Sequence, residues 1–307
     1  MNPKTVKLEP GLYLVATPIG TARDITLRTL DILASADVIA AEDTRSMRRL
    51  LEIHGVALAD RPVISYHDHN GDRVRPRLLA MMAEGKSVAY GAEAGTPMVA
   101  DPGFDLARAA RGDGHVVVSA PGPSAVITAL TLSGLPTDRF TFNGFLPNSS
   151  GKRKSALKEL SEVPGTLIFY ESPKRIAAMI RDAAEVLGET RQVAICRELT
   201  KKFEEILTGT LAELAETLSS RSLKGEIVVV VGQGQEVGVN CLDIDSVLKE
   251  TLKHASVRDA ADIVAARTGV KRRQVYQRAL AISQDAERND AESGAGGSER
   301  EQDDGDM

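Results

Sequence analysis

Residues 93–103 read Glu-Ala-Gly-Thr-Pro-Met-Val-Ala-Asp-Pro-Gly and follow an apolar stretch at residues 86–90. The glycines and prolines of this loop fix a backbone conformation rather than fill a core, and its small side chains let a ligand approach main-chain groups closely. Similar loops at residues 16–20 and 120–125 each follow an apolar run. Three such strand-then-loop units predict one ligand cleft at the strand ends of an open α/β sheet.

The first 120 residues alternate short apolar runs with helix-like patterns. This alternation is typical of βαβ units and predicts a mostly parallel sheet in an N-terminal α/β domain, residues 1–120. Strands are predicted at residues 12–15, 37–41, 63–66 and 116–119, and helices at residues 26–34, 46–54, 73–84 and 103–111.

Residues 121–235 predict a second α/β domain with its own sheet. A helix is predicted at residues 124–133, and the polar segment that ends near residue 152 is interpreted as a change of domain. An antiparallel excursion is expected at residues 202–209. The other predicted elements are strands at residues 166–170, 192–196 and 226–231 and helices at residues 173–187 and 210–218.

The C-terminal segment has only helical patterns. A Gly-rich linker at residues 232–240 leads into a helical appendage, residues 236–284, with helices expected at residues 246–254, 257–267 and 272–283. Residues 285–307 are acidic and nearly devoid of large apolar side chains, so they are predicted to form a disordered tail.

The composition is that of a soluble globular protein, with 42% apolar and 26% charged residues in a chain of 307. No apolar run approaches the roughly 18 residues that a membrane span needs. Pro18 and Gly20 interrupt the apolar stretch near the N-terminus, which argues against a signal peptide. Two cysteines in no paired motif suit a reducing cytoplasm, and metal-ligand spacing is absent. We therefore expect a cytoplasmic protein without a membrane segment or a bound metal.

Charge is distributed unevenly along the chain. The net charge is −5, but residues 285–307 hold nine acids and two bases, which leaves 34 acids and 36 bases in residues 1–284. Basic residues cluster at residues 45–49, 73–77, 152–158 and 271–273. Such clusters permit an anionic partner, and they are equally compatible with solvated helix faces.

Several motifs together resemble one family. They are Leu-Tyr-Leu-Val-Ala-Thr-Pro-Ile-Gly at residues 12–20, Ala-Glu-Asp-Thr-Arg at 41–45, Tyr-His-Asp-His-Asn at 66–70, Ala-Gly-Thr-Pro at 94–97, Phe-Tyr-Glu-Ser-Pro at 169–173 and Arg-Glu-Leu-Thr at 197–200. The chain is similar, over residues 10–283, to the tetrapyrrole-methylase-like superfamily, and within it to the ribosomal RNA small subunit (cytidine 2′-O) methyltransferases. The resemblance implies two α/β domains of tetrapyrrole-methylase type with a cleft between them, plus a small C-terminal helical appendage, in a homodimer.

Two loops depart from the family pattern. The family's usual Ser-Asp-Ala-Gly-Thr-Pro is here Ala92-Glu93 followed by Ala-Gly-Thr-Pro, and the Asn that usually follows Gly20 is Thr21. Glu93 keeps the charge on a longer arm, whereas Ala92 lacks a hydroxyl group. The departures bear on the fine geometry of the cleft and not on the fold.

The resemblance also implies that the cleft holds S-adenosylmethionine. Pro18, Ile19 and Gly20 would line one side of the cofactor. The helix that begins near Ser124 has free N–H groups suited to a carboxylate. The other residues carried over from the family pattern are Ala94, Gly95, Thr96, Val99, Ala125, Tyr170, Arg197 and Glu226.

Acid–base candidates come from three places. Glu42, Asp43 and Arg45 follow a predicted strand, and they could orient or deprotonate a hydroxyl group and clamp a phosphate, or merely cap the next helix. His67 and Asn70 belong to a polar loop with two histidines, which suits a base or a substrate contact better than a metal. Glu171 is a catalytic candidate and, equally, a helix cap.

Three functions remain open from the sequence. The first is an S-adenosylmethionine-dependent methyltransferase that acts on the ribose 2′-hydroxyl of a cytidine in the decoding region of 16S rRNA, within the small ribosomal subunit. The second is a superfamily methyltransferase acting on a tetrapyrrole or other small molecule, and the third is a non-enzymatic adenosyl-ligand sensor. Basic clusters favour the first, with RNA contacts expected at Lys152, Arg153, Lys154, Lys271, Arg272, Arg273, Gln274, Gln277 and Arg278.

Overall fold

The computed structural model describes residues 3–98, 103–234, 241–268, 270 and 272–294. The chain divides into two compact units, residues 1–234 and residues 235–307. The larger unit holds two five-stranded sheets, and the smaller unit is helical. None of the helices in the described part of the chain combines the length and the apolar character needed to cross a membrane.

The first sheet is entirely parallel, in the strand order β3-β2-β4-β1-β5. Its strands are β1 (Gly11–Val15), β2 (Val38–Ala41), β3 (Val63–Ser65), β4 (Ser87–Gly91) and β5 (Val116–Ala120). The connecting helices are α1 (Leu27–Ser35), α2 (Thr44–Ile53), α3 (Gly71–Ala83) and α4 (Gly103–Gly112). We call this sheet with its helices the first lobe.

The central strands of the first lobe are buried on both faces, which explains their continuous apolar sequences. One face packs on α1 and α2, and the other packs on α3 and α4. Because all five strands are parallel, the carboxyl ends of the strands lie along one edge of the sheet. The loops that follow these ends are those that the sequence singles out, and they lie side by side.

The second sheet is mixed, in the order β6-β7-β10-β8-β9. Strands β6 and β7 are parallel, and the other pairs are antiparallel. The strands are β6 (Phe140–Phe145), β7 (Thr166–Glu171), β8 (Gln192–Arg197), β9 (Glu205–Thr210) and β10 (Ile227–Val231). The helices are α5 (Ala125–Leu132), α6 (Ser150–Leu160), α7 (Ile176–Leu187) and α8 (Leu211–Ser220). We call this sheet with α5–α8 the second lobe.

The segment near residues 140–152, expected to be a change of domain, lies inside the second lobe. It forms β6 and the start of α6, and α5 already packs on the second sheet through Val126 and Leu130. The expected change of domain is therefore wrong. Helix α6 is rich in lysine and has few apolar side chains, so its helical periodicity is weak in the sequence and the segment resembles a polar linker. The antiparallel strand expected near residues 202–209 is β9.

The C-terminal unit contains α9 (Cys241–Leu252), α10 (Val257–Thr268) and α11 (Arg272–Gly294). Leu248, Val264 and Val275 form its small core. Helix α11 continues to Gly294, beyond the expected start of a disordered tail at residue 285. Alanine, glutamate and arginine favour helix and explain this extension. The remainder of that tail, residues 295–307, and most of the expected linker lie outside the described residues.

Candidate active site

The main cavity has a volume of about 770 Å³. It lies between the carboxyl edge of the first sheet and the facing ends of β7 and β10 in the second lobe. Its lining consists of Pro18, Ile19, Gly20, Glu42, Ser46, Ala92, Glu93, Ala94, Gly95, Thr96, Ser124, Ala125, Phe145, Tyr170, Glu171, Ser172, Pro173, Leu199, Lys201, Gly225, Glu226, Ile227 and Val228. Both lobes therefore contribute to one enclosure.

The first-lobe wall is made mainly of main chain. Thr17 and Gly95 exchange two backbone hydrogen bonds, of 2.9 and 3.0 Å, which join the loops after β1 and β4. The Thr96 hydroxyl group donates to the carbonyl oxygen of Pro123 at 2.8 Å, which adds the loop after β5. Gly95 has φ +82°, and a Cβ atom there would lie 3.2 Å from Cγ2 of Ile19. A side chain at Gly95 would therefore be both strained and crowded.

Helix α5 begins at this wall. Its N-cap Ser124 has an extended backbone, and the Ser124 side chain makes no capping hydrogen bond to any described residue. The first amide groups of a helix have no intrahelical acceptor. Together with the helix dipole they provide a favourable place for a carboxylate group at the edge of the cavity.

The second-lobe wall is apolar and aromatic. Leu199, Ile227 and Val228 are nearly fully buried, and Tyr170 packs edge-on against Phe145 at a centroid distance of 5.7 Å. Burial, assisted by the charge of Glu226, raises the pKa of the Tyr170 phenol. Tyr170 therefore remains a neutral hydroxyl group at physiological pH and can donate a hydrogen bond.

The two lobes meet at a tight loop contact. The amide group of Thr21 donates to Oγ1 of Thr200 at 3.1 Å, and the Thr21 hydroxyl group donates to the Thr200 carbonyl oxygen at 2.5 Å. A Cβ atom on Gly20 would lie 2.6 Å from Thr200 Oγ1 and 2.9 Å from the carbonyl oxygen of Leu199. The threonine that departs from the family pattern at position 21 thus makes the cross-lobe hydrogen bonds.

The loop at residues 198–201 is held by charges. The Lys201 ammonium group donates to Glu198 at 3.1 Å and to Glu226 at 2.8 Å. Glu198 and Thr200 have positive φ values of 51° and 62°, which cost free energy for non-glycine residues. The ion pairs and the contacts with the first lobe maintain this conformation.

The departures from the family pattern at Ala92 and Glu93 change side chains, whereas the contacts of this loop in the first-lobe wall use the main chain. The carbonyl oxygen of Ala92 accepts from the Thr17 hydroxyl group at 3.2 Å, and the amide group of Glu93 donates to Oε2 of Glu42 at 3.0 Å. Both contacts use main-chain atoms of this loop. The main-chain wall is therefore compatible with the substitutions.

Glu42 is the acid–base candidate best placed for chemistry, because it lines the main cavity. Asp43 instead caps α2, accepting from the amide groups of Arg45 at 2.7 Å and Ser46 at 3.3 Å. The Arg45 guanidinium group lies 3.2 Å from the Asp43 carboxylate and is 91% exposed. Hydrogen bonds from Arg45 lower the pKa of Asp43, which makes Asp43 a weak base.

His67 and Asn70 follow β3 and do not belong to the described lining of the main cavity. The Asn70 side chain accepts from the His67 amide group at 2.9 Å and donates to the Ser65 carbonyl oxygen at 3.1 Å. These bonds shape the turn before α3. Among the described residues, no cluster of three or more His, Cys, Asp and Glu side chains suited to a metal is found.

Glu171 belongs to the wall, but its side chain is 0% exposed. Its Oε1 accepts from the Ser172 amide group at 2.7 Å and lies 3.2 Å from Nε of Arg175. The Glu171 carboxylate is thus enclosed and engaged by its neighbours, and its catalytic role stays a prediction. Arg175 also donates to the Leu146 carbonyl oxygen at 2.5 Å, so the pair fixes the strand ends behind the wall.

Arg197 was expected to bind the cofactor, but it is outside the described lining of the cavity. Its guanidinium group donates to the Lys224 carbonyl oxygen at 3.0 Å and to Glu205 at 3.3 Å. Arg197 therefore organises the loops beside β8. Val99 lies outside the described residues.

Sequence reasoning missed part of the lining. Lys201 directly follows the quoted motif at residues 197–200, and Gly225 directly precedes the predicted cofactor contact Glu226. These neighbouring positions were the available signal. Leu199, Ile227 and Val228 resemble ordinary core residues, so no local signal distinguishes them. The remaining missed lining residues are Ser46, Phe145, Ser172 and Pro173.

The sequence profile of the family described as Tetrapyrrole (Corrin/Porphyrin) Methylases matches residues 11–215, which is more than half of the chain. The chain belongs to this family. A second profile, described as the RsmI C-terminal HTH domain, matches residues 242–283.

Two named relatives are similar over most of their length. The ribosomal RNA small subunit methyltransferase I of Mesorhizobium japonicum is 47% identical over 90% of this chain and 93% of its own. The protein of the same name from Xylella fastidiosa (strain Temecula1) is 43% identical over 87% of this chain and 98% of its own. The structure of a Thermus thermophilus uroporphyrin-III C-methyltransferase complexed with S-adenosyl homocysteine has a TM-score of 0.51 at 20% identity, covering 74% of this chain and 99% of that one.

Proposed function

We propose that this protein is an S-adenosylmethionine-dependent methyltransferase of small-subunit ribosomal RNA, with the ribose 2′-hydroxyl of a cytidine in the decoding region of 16S rRNA as its acceptor. The observation that carries the proposal is the two-lobed cavity in a chain that is 47% identical to a relative of that name over 93% of the relative. The resemblance supplies the cytidine and its 2′-hydroxyl group.

The cavity fits the cofactor in volume and in chemistry. About 770 Å³ is within the range of roughly 300–1,000 Å³ typical of small-molecule sites. The main-chain groups of residues 94–96 and the free amide groups at the start of α5 would hold the amino-acid part. Ile19 on one side and Tyr170, Ile227 and Val228 on the other would enclose the adenosine part.

When bound, the sulfonium cofactor supplies an activated methyl group, so the protein's task is alignment and proton removal. Aligned reacting groups can account for roughly 7–11 kcal/mol of a barrier. The cleft between the two lobes would hold the two reactants side by side. Glu42 would accept the proton of the ribose hydroxyl group at a carboxylate oxygen, while the Glu93 amide group orients that carboxylate.

The expected RNA contacts divide into free and engaged groups. Arg153 is 3% exposed and pairs with Asp182, so its proposed RNA contact is wrong. Lys152 remains exposed on α6, and Arg273, Gln274 and Gln277 are exposed on α11.

Arg272 pairs with Asp262, and Arg278 pairs with Asp245 at 2.5 Å. Lys271 lies outside the described residues. We retain the exposed groups as the RNA-contacting set.

A homodimer acting on RNA within the small ribosomal subunit in the cytoplasm completes the proposal. The homodimer and the small-subunit context come from the resemblance, and the cytoplasmic location comes from the two cysteines that form no paired motif. Light scattering of the purified protein measures the oligomeric state, and a mass of one chain would contradict the dimer.

The function is tested by supplying labelled S-adenosylmethionine with either small subunits or protein-free rRNA. We expect label in an alkali-resistant dinucleotide, which identifies ribose methylation. Transfer to a tetrapyrrole with none to RNA would replace the proposal by the small-molecule alternative. Binding of S-adenosylhomocysteine without transfer to any acceptor would favour a sensor.

A further inference from the structure

A second cavity of about 550 Å³ opens beside the first. The two cavities share Pro18, Gly20, Ser46, Ala92 and Glu93, so they adjoin each other, and we call them the main arm and the second arm of the cleft. The second arm runs between the loop after β1 and helix α2. Its volume, like that of the main cavity, is in the range typical of small-molecule binding sites.

One face of α2 lines this second arm. Arg45, Arg49 and Ile53 are spaced four residues apart and therefore project from the same side of the helix. Leu50 and the exposed side chain of Ile53 give this face an apolar portion. The arm thus combines an apolar surface with two guanidinium groups at its rim.

The two guanidinium groups are available to a phosphate. Arg49 pairs with Glu52 at 2.7 Å, but the two side chains are 67% and 70% exposed. The Arg45 guanidinium group is 91% exposed beside Asp43, whose carboxylate already accepts from two amide groups of α2. Exposed pairs of this kind contribute little to stability, so an incoming anion can take the arginine.

From this arrangement, and on the basis of the proposed function, we infer that the second arm binds the nucleotide adjacent to the methylated one. The base of that nucleotide would pack on the Leu50 and Ile53 surface, and its phosphate would contact Arg49 and Arg45. A neighbouring nucleotide is the fitting occupant because it is covalently joined to the acceptor in the main arm. Arginine is well suited both to phosphate and to stacking with bases.

The test compares Arg49→Ala with Arg108→Ala. Arg108 forms a matched pair with Asp105, three residues apart at 2.9 Å and 69% exposed, but on α4, which packs on the opposite face of the sheet. With small subunits as substrate, Arg49→Ala should raise KM about tenfold, the usual effect of losing one charge-assisted hydrogen bond. The kcat value and the S-adenosylhomocysteine affinity should stay within about twofold of wild type, as for a lost binding contact.

Two further measurements sharpen the test. The salt dependence of log kcat/KM should become shallower by about 0.7 for Arg49→Ala, the slope that one single-strand phosphate contact carries. Arg49→Lys should recover part of the loss because it keeps the charge. Equal KM values and salt slopes for the Arg49→Ala and Arg108→Ala variants would overturn the inference.

Failure of the proposed function is separable from failure of this inference. If wild-type protein transfers no methyl group to RNA, binding of a fluorescent single-stranded oligoribonucleotide still tests the arm. Weaker binding by Arg49→Ala than by Arg108→Ala would support the inference without turnover. Equal binding by both variants would reject the inference even in a fully active enzyme.

Discussion

The two lobes build their halves of the cleft by opposite means. The first lobe contributes Gly20, Ala94 and Gly95, and its loops are joined through backbone hydrogen bonds. The second lobe contributes an aromatic and aliphatic wall, supported by ion pairs such as Lys201 with Glu226. A wall made of main chain is disturbed when a side chain is added to it. A wall supported by ion pairs is disturbed when a charged side chain is removed. Each lobe should therefore fail under a different kind of substitution.

The largest effect is expected from a charge deletion in the second lobe. Asp182→Ala leaves Arg153, whose side chain is 4% exposed, without its carboxylate partner. Removing one member of a buried pair costs about 3–5 kcal/mol of unfolding free energy. Urea denaturation measures this loss of unfolding free energy. Glu185→Ala is the matched control, because the Glu185 side chain, paired with Lys154, is 65% exposed and should cost under about 1 kcal/mol. Equal losses would show that burial of this pair is unimportant.

The next effect is expected from an added methyl group in the first lobe. In Gly20→Ala the new Cβ atom would overlap Thr200 and the Leu199 carbonyl oxygen, so the lobes must shift apart. We expect S-adenosylhomocysteine to bind at least about tenfold more weakly by calorimetry, since overpacking costs roughly 1–3 kcal/mol. Gly151→Ala in α6 is the control, because a Cβ atom there meets nothing within 4 Å. Unchanged affinity in Gly20→Ala would contradict a rigid contact between the lobes.

A smaller effect is expected at the contact that joins the two lobes. Thr21→Val keeps the shape but removes the hydroxyl group that donates to the Thr200 carbonyl oxygen. We expect a loss of about 1 kcal/mol, either in the free energy of cofactor binding or in the free energy of unfolding. Thr21→Ser should retain most of both. If Val and Ser at this position behave alike, the cross-lobe hydrogen bond is dispensable.

The smallest effect concerns pH, far from the cleft in the first lobe. Hydrogen bonds from the Ser87 hydroxyl and amide groups lower the pKa of Asp37 below its ordinary 3.8. This stabilisation is fully present above pH 3.8 and is lost as pH falls through the lower folded-state pKa. In acid titrations followed by circular dichroism, Asp37→Asn should flatten the pH dependence of stability in that window. A wild-type slope in the variant would rule out this contribution.

The main-chain side of the cleft was readable from the sequence, because glycine and proline after apolar runs have few other uses. The three loops predicted to converge do so. Asp43 was ambiguous, since an acid before a helix has the same local pattern as a cap and as a base, and only the amide contacts of α2 distinguish them. Arg153 was misjudged because its partner Asp182 lies 29 residues away in sequence. For Glu171, the sequence of a strand end gives no sign of whether the side chain is enclosed, and only the structure shows that it is.

The contact between Thr21 and Thr200 joins residues 179 positions apart. A ribosome making this chain must therefore extrude most of the larger unit before the cleft can close. Long-range contacts of this kind form late, after the local elements on each side. Nascent chains that stop before β10 would possess the glycine-rich loops yet have no enclosure for the methyl donor, so ligand capture would mark the completion of folding.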